Sequence, residues 1–149
     1  MNSYTITPGD GRSAQELIKS TQCDVGSYAQ SFLGSVDFPL TSTEKKEDVQ
    51  IVLVQFSSDP STTEVLEEFK KQGLLQPRAE DTLLFAEKYP EEQGNNPIVF
   101  LHEPWMTPGG GKSVFILRQY GSVRYLHMAL AEPQNKWYAH HRFAGVKKS

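Results

Sequence analysis

The side chains able to do chemistry in this 149-residue chain are few, and most lie late in it. His102, His127, His140 and His141 are its four histidines, Cys23 is its one cysteine, and Glu103 follows His102 directly. Histidine beside a carboxylate is a common basis for acid–base or metal chemistry near neutral pH. The spacing does not assemble such a site. No HExxH or comparable pair of ligands is present. A strand carrying His140 and His141 in succession sends the two rings to opposite faces, where they cannot share an ion. No metal site is expected and no cofactor is indicated. A small enzyme with a site near His102, Glu103 and His127 requires a concavity in which the three converge. Cys23 alone can form neither an intrachain disulfide nor a cysteine zinc cage, so an unpaired structural or exposed thiol is expected. The acidic pairs Glu67-Glu68, Glu80-Asp81 and Glu91-Glu92 read as solvating charge on helix faces or in loops.

The segment TPGGGKS (107–113) ends in Gly111, Lys112 and Ser113, the closing triplet of a phosphate-binding loop. Such a loop needs a further glycine five residues earlier and a helix after it. Met106 stands at that earlier position, and the following VFILRQY is β-branched and aromatic, a strand pattern. With no helix dipole to meet a phosphate, nucleotide binding here is not expected. The three glycines suit a turn between strands.

Charge is distributed unevenly. The net charge is −3, yet residues 96–149 hold Lys112, Arg118, Arg124, Lys136, Arg142, Lys147 and Lys148 against Glu103 and Glu132 alone. Both tryptophans and all four histidines lie in the same third. Asymmetry of this kind often marks an interaction surface. No run approaches the roughly 18 apolar residues of a membrane span, and no secretory signal is visible. The expectation is a soluble, cytoplasmic, single α+β domain over 1–149, without membrane association.

The elements that must position these residues follow from local rules. Ser13 and Glu16 form a capping box for a helix over 14–19, within an otherwise irregular part at 1–47, where TSTEKKED (41–48) reads as a polar loop. VQIVLVQF (49–56) is a strand buried on both faces. A second capping box, Ser61 to Glu64, starts a helix that Gly73 ends, and a further helix runs from Pro77 to Tyr89-Pro90. Strands then follow over 97–103, 113–120, 122–130 and 136–146. Two helices packed on an antiparallel sheet result.

Gly121-Ser122 suits a two-residue hairpin turn, which pairs Arg118 with Tyr125 and Ile116 with His127. Leu117, Leu126, Phe115 and Met128 form the opposite, more apolar face. Along the last strand Trp137, His141 and Phe143 alternate with Tyr138, His140 and Arg142. With Trp137 and Phe143 pointing at the core, one open face gathers Arg118, Tyr125, His127, Tyr138, His140 and Arg142, with Lys112 as a rim charge. Basic and aromatic groups together suit anionic or π-rich partners. The reading is a non-enzymatic binding domain that recognises a protein or other macromolecule, an anionic one included, through this face and its loops. Nucleic-acid binding by the same face is the alternative, and the small enzyme is a third.

The series VQIVLVQF, VLEEFKKQGLLQPRAEDTLLFAEKYPE, PIVFLHEPW, PGGGK and RFAGVKK resembles a set of short bacterial proteins from metagenome-derived lineages, over about residues 37 to 148. That set carries no established activity, so it brings no catalytic residues. The order of elements and the closing RFAGV also resemble C-type-lectin-like domains, including hypervariable bacterial and phage ligand-binding proteins. That resemblance implies a strand, two helices and a meander whose last strand returns beside the first, and it implies ligand binding. Calcium-dependent sugar binding is not implied. EPQNKWY (132–138) has Gln134 in place of the motif's asparagine, and no Trp-Asn-Asp is present.

Overall fold

The computed structural model describes residues 3–9, 11–34 and 47–148. The polar loop expected at 41–48 falls largely outside them. In chain order the elements are β1 (Ser3–Ile6), α1 (Ala14–Thr21), β2 (Asp24–Val25), α2 (Ser27–Leu33), β3 (Val49–Gln55), α3 (Thr62–Gln72), β4 (Leu74–Leu75) and α4 (Ala79–Lys88). A 3-10 turn at Glu92–Gly94 leads to β5 (Ile98–Met106), β6 (Lys112–Tyr120), β7 (Val123–Leu130) and β8 (Arg142–Lys147). No helix among the described residues is long and apolar enough to cross a membrane.

The helices start and stop where their caps dictate. Ser13 Oγ accepts from the Glu16 N–H at 3.2 Å while Glu16 Oε1 accepts from the Ser13 N–H at 3.0 Å. Ser61 and Glu64 repeat this reciprocal pair at the start of α3. Gly73 ends α3 at φ 71°, a left-handed cap that carries a Cβ penalty for other residues. At α4, Asp81 Oδ2 accepts from the Arg78 N–H at 2.8 Å. Glu80 and Asp81 are buried, 3% and 2% exposed, so the expected solvating role of that pair does not hold. Their helix is enclosed between the sheet and α1.

One mixed sheet runs in the order β1-β3-β8-β5-β6-β7-β2, with β4 also on β8. The fold is α+β, as the order of elements implies. Two features differ from an antiparallel sheet with two helices. The last strand starts at Arg142, and it inserts between β3 (antiparallel) and β5 (parallel). A parallel neighbour demands a crossover, and residues 131–141 supply it by passing over one sheet face. The segment at 3–33, expected to be irregular beyond its first helix, contributes β1, β2, α1 and α2. As a result, helices lie on both faces.

Two cores follow from that layering. On one face Leu17, Phe32, Leu83 and Phe85 from the helices meet Ile51, Ile98, Phe100, Phe115, Leu117 and Leu126. On the other, Val65 and Phe69 of α3 and Trp137 of the crossover meet Val52, Val54, Val99, Val114, Ile116 and Phe143. The nearly continuous apolar run of β3 serves both faces in alternation. Phe85, Phe100, Phe115 and Phe143 are fully buried, each contributing roughly 1.5–3 kcal/mol.

Candidate functional site

The β6–β7 hairpin has the register its turn predicts. Gly121 turns at φ 60°, and Arg118 lies opposite Tyr125, Ile116 opposite His127 and Tyr120 opposite Val123. Because Ile116 belongs to the α3-side core, Arg118, Tyr120, Tyr125 and His127 occupy the α3 face of the sheet, beyond the edge of that core. Their rings form a row: Tyr120 to Tyr125 at 5.6 Å and Tyr125 to His127 at 5.0 Å. From the opposite side, buried Gln93 donates through Nε2 to the carbonyls of Arg118 (2.6 Å) and Tyr125 (3.2 Å), fixing this cross-strand pair. Gly26 allows His127 its position, since a Cβ there would come within 2.9 Å of the imidazole.

Residues 138–141 form a turn instead of the expected strand, closed by the His141 N–H to Tyr138 carbonyl bond at 3.0 Å. The segment is pinned to the start of α3. Trp137 N–H donates to the Pro60 carbonyl (2.8 Å), Trp137 Nε1 donates to Thr62 Oγ1 (2.9 Å), and Asp59 Oδ1 accepts from the Ala139 N–H (2.8 Å). The turn brings His140 and His141 to 4.8 Å between ring centres, so they do not point to opposite faces. Tyr138 stacks on His140 at 5.6 Å with planes 15° apart, and both are exposed. His141 is buried and lies toward Arg118.

Arg118 is the electrostatic centre. Its Nη1 donates to Tyr120 Oη at 3.3 Å, and it forms no ion pair among the described residues. Its Nε is buried without a partner among them, as is His141 Nδ1. An unsatisfied buried polar group costs about 1–3 kcal/mol, and Arg142 Nε on the opposite side is without a partner as well among the described residues. Burial first, then Arg118, holds His127 below the ordinary imidazole range, while Asp24 opposes. His141 is pushed down to about 4 by burial, then by His140 and Arg118, against Asp59. Positive charge is thus disfavoured on both rings, first by burial and further by the Arg118 guanidinium they share.

The remaining predicted residues go elsewhere. Arg142 does not join the face. It points to the opposite side with Ala144, donating through Nη1 to Glu92 Oε1 (3.1 Å) and through Nη2 to the Glu92 carbonyl (2.6 Å). The physical reason is that Phe143 packs into the α3-side core, the same side as Arg118, so its neighbour must face away. Lys112 shares the α3 face but sits at the far end of β6 from Arg118, roughly 20 Å away at strand rise. Arg124 is also internal, donating to the carbonyls of Thr21 and Ala86 at the C-terminal ends of α1 and α4. Lys136 pairs with Glu64.

His102 and His127 do not converge. β5 and β6 pair at Phe100 with Phe115 and again at Trp105 with Ser113, leaving 101–104 as a bulge. His102 repairs the ladder there. Its Nε2 accepts the Phe115 N–H at 3.0 Å and its Nδ1 contacts the Glu103 carbonyl at 2.7 Å, which fixes a neutral ring protonated at Nδ1. The ring packs between Phe32 and Phe115 in the other core. Glu103 is exposed. Burial pushes the Cys23 thiol up, opposite to a reactive nucleophile. Among the described residues no group of three or more His, Cys, Asp or Glu could hold a metal ion. The TPGGGKS loop is the β5–β6 hairpin turn, with Thr107 and Gly111 joined by a 2.8 Å backbone bond.

Burial of these histidines contributes to stability against acid. Burial pushes His102 down to about 4 from the ordinary 6.5, as it does His141. A group neutral in the fold contributes fully above 6.5, and the contribution is lost as pH falls toward 4. Asp81, pushed up to about 6 by burial, acts the other way: its contribution is full below 3.8 and is lost as pH rises through 6. Asp81→Asn removes that opposing effect. Urea unfolding of this variant is expected to show roughly 3 kcal/mol or more lost between neutral pH and pH about 4. A flat profile would contradict neutral, buried imidazoles.

Comparison with family models, with curated proteins and with solved structures gives no match. The geometry of the Arg118 region therefore carries the functional reading. Of the residues the sequence singles out for binding, Arg118, Tyr125 and His127 share one face and Tyr138 and His140 share the adjoining turn, while His141, Tyr120 and Gln93 are not among them. The signal for Tyr120 was its pairing beside the Gly121 turn; nothing local pointed to Gln93.

Proposed function

We propose that this chain is a non-enzymatic binding domain that recognises an acidic segment of a partner protein through the face around Arg118. The observation that carries the reading is the half-buried, unpaired guanidinium, whose Nε and the nearby His141 Nδ1 both lack partners among the described residues. A carboxylate is the natural acceptor for such a fork. Tyr120, Tyr125, His127, Tyr138 and His140 supply the surrounding rings, with Tyr120 59% and Tyr138 64% exposed. Tyrosine and arginine are the residue types that anchor protein interfaces. The resemblance to C-type-lectin-like domains agrees with a binding role, by analogy alone.

Nucleic-acid binding is the second reading, favoured by the exposed Tyr120 and Tyr138 rings on which bases could stack. Against it, Arg124 and Arg142 are spent on internal contacts and Lys136 pairs with Glu64 at the surface, which leaves less charge for a phosphate backbone. The two readings separate in one titration series. A glutamate-rich peptide is expected to bind, and Arg118→Gln is expected to weaken it about tenfold or more. Unchanged affinity in Arg118→Gln removes the proposal. Tighter binding of a single-stranded oligonucleotide, falling steeply with salt, replaces it with the second reading.

A further inference from the structure

The α3 face carries a second concavity, at the other end of β6 from Arg118. The bulge at 101–104 draws β5 away from β6, and α3 spans the gap without filling it. A groove of about 350 Å³ remains, within the range of small-molecule sites. Its floor is Leu66, Leu101, Val114 and Ala131, with Leu101 2%, Val114 0% and Ala131 4% exposed.

The polar groups around it are mostly committed. The N–H groups of Thr62 and Thr63 donate to the Asn135 and Pro133 carbonyls, and Thr63 Oγ1 also donates to Pro133. Gln76 Nε2 donates to the Leu101 carbonyl at 2.8 Å, and both ring nitrogens of His102 are engaged. Two ammonium groups remain. Lys70 and Lys112 both line the groove, and neither Nζ has a hydrogen bond or ion pair among the described residues. Glu67 is the one carboxylate in the lining, and Glu132, whose Oε1 accepts the Lys112 backbone N–H at 3.1 Å, stands beside the rim, so the two ammonium groups are the anchors a ligand head could use. A sugar or polyol would find few donors or acceptors here. A molecule with an aliphatic body and one anionic head matches both the floor and the charge.

We propose that this groove binds a small amphipathic carboxylate, its chain on Leu66, Leu101, Val114 and Ala131 and its head group on Lys70 and Lys112. The site is separate from the Arg118 face and does not depend on the reading given to that face. Octanoate is the probe, followed by amide shifts and calorimetry, with acetate and octanol as comparators. Octanoate is expected to shift the four floor residues at low-millimolar concentration and to bind more tightly than either comparator. Lys70→Gln with Lys112→Gln, both exposed positions, is expected to weaken octanoate about tenfold or more. Arg118→Gln is expected to leave it unchanged. Ala131→Leu fills the floor and is expected to abolish binding; should it fail to fold, the lysine variant still decides. Unmoved floor residues, equal binding of octanol, undiminished binding by the lysine variant, or loss on Arg118→Gln would each overturn the proposal.

Discussion

His102→Leu is expected to lower folding stability by about 3 kcal/mol. The imidazole is 1% exposed and accepts the Phe115 N–H at 3.0 Å beside the β5 bulge. Leucine fills most of the volume but offers the Phe115 N–H no acceptor. It also removes the ring contacts to Phe32 and Phe115. His102→Gln keeps an acceptor on a flexible stem and is expected to lose markedly less. Urea unfolding at neutral pH separates the two. Equal losses would mean that packing, and not the hydrogen bond, holds the bulge. If His102 were instead a catalytic group, replacing it would leave the fold intact.

Arg142→Met is expected to cost about 3 kcal/mol or more. The guanidinium and the Glu92 carboxylate are 14% and 17% exposed, and Glu92 Oε1 also accepts from Tyr4 Oη at 3.0 Å. One pair thus ties β8, the 3-10 turn and β1 together across one face of the sheet. Removing the cation leaves a largely buried carboxylate with the tyrosine alone. The double variant Arg142→Met with Glu92→Gln is expected to lose less than the two single losses combined, because no charge is left uncompensated. Additive losses would show that the pair is not coupled. Binding of an acidic peptide is expected to survive in whatever fraction of Arg142→Met stays folded, since Arg142 faces away from Arg118.

Much of the fold was legible where local rules govern. Both capping boxes, the Gly73 stop and the Gly121 hairpin register are decided by residues a few positions apart, and each appears in the structure as its chemistry requires. The place of β8 was not legible. Whether it lies beside β7 or between β3 and β5 depends on how residues 131–141 pack over a distant sheet face, and no local pattern encodes that. The misplacement of Arg142 follows from the same gap. Its alternation with Phe143 was right, but one helical layer was assumed. With helices on both faces, the core that receives Phe143 is the one on Arg118's side.

The candidate face was legible in the hairpin and less so in the turn. Tyr138 and His140 stand beside His141, which feels the Arg118 charge, because Asp59, Pro60 and Thr62 hold 137–141 against the start of α3. A strand reading of 136–146 gives no sign of that anchoring. It places His141 on the core side with Trp137, as the structure does, but away from His140, whereas the turn sets the two rings side by side. Gln93 was invisible for a similar reason, since it reaches β6 and β7 from the 3-10 turn.

The most direct measurement is a chemical-shift map of the folded chain titrated with a glutamate-rich peptide, including the side-chain Nε–H signals of arginine. The expected result is a single cluster of shifts at Tyr120, Tyr125, His127, Tyr138, His140 and His141, with the Nε–H of Arg118 moving most and that of Arg142 unmoved. Shifts centred on another surface, or no saturable shift with Arg118 Nε–H unchanged, would contradict a binding face built on Arg118.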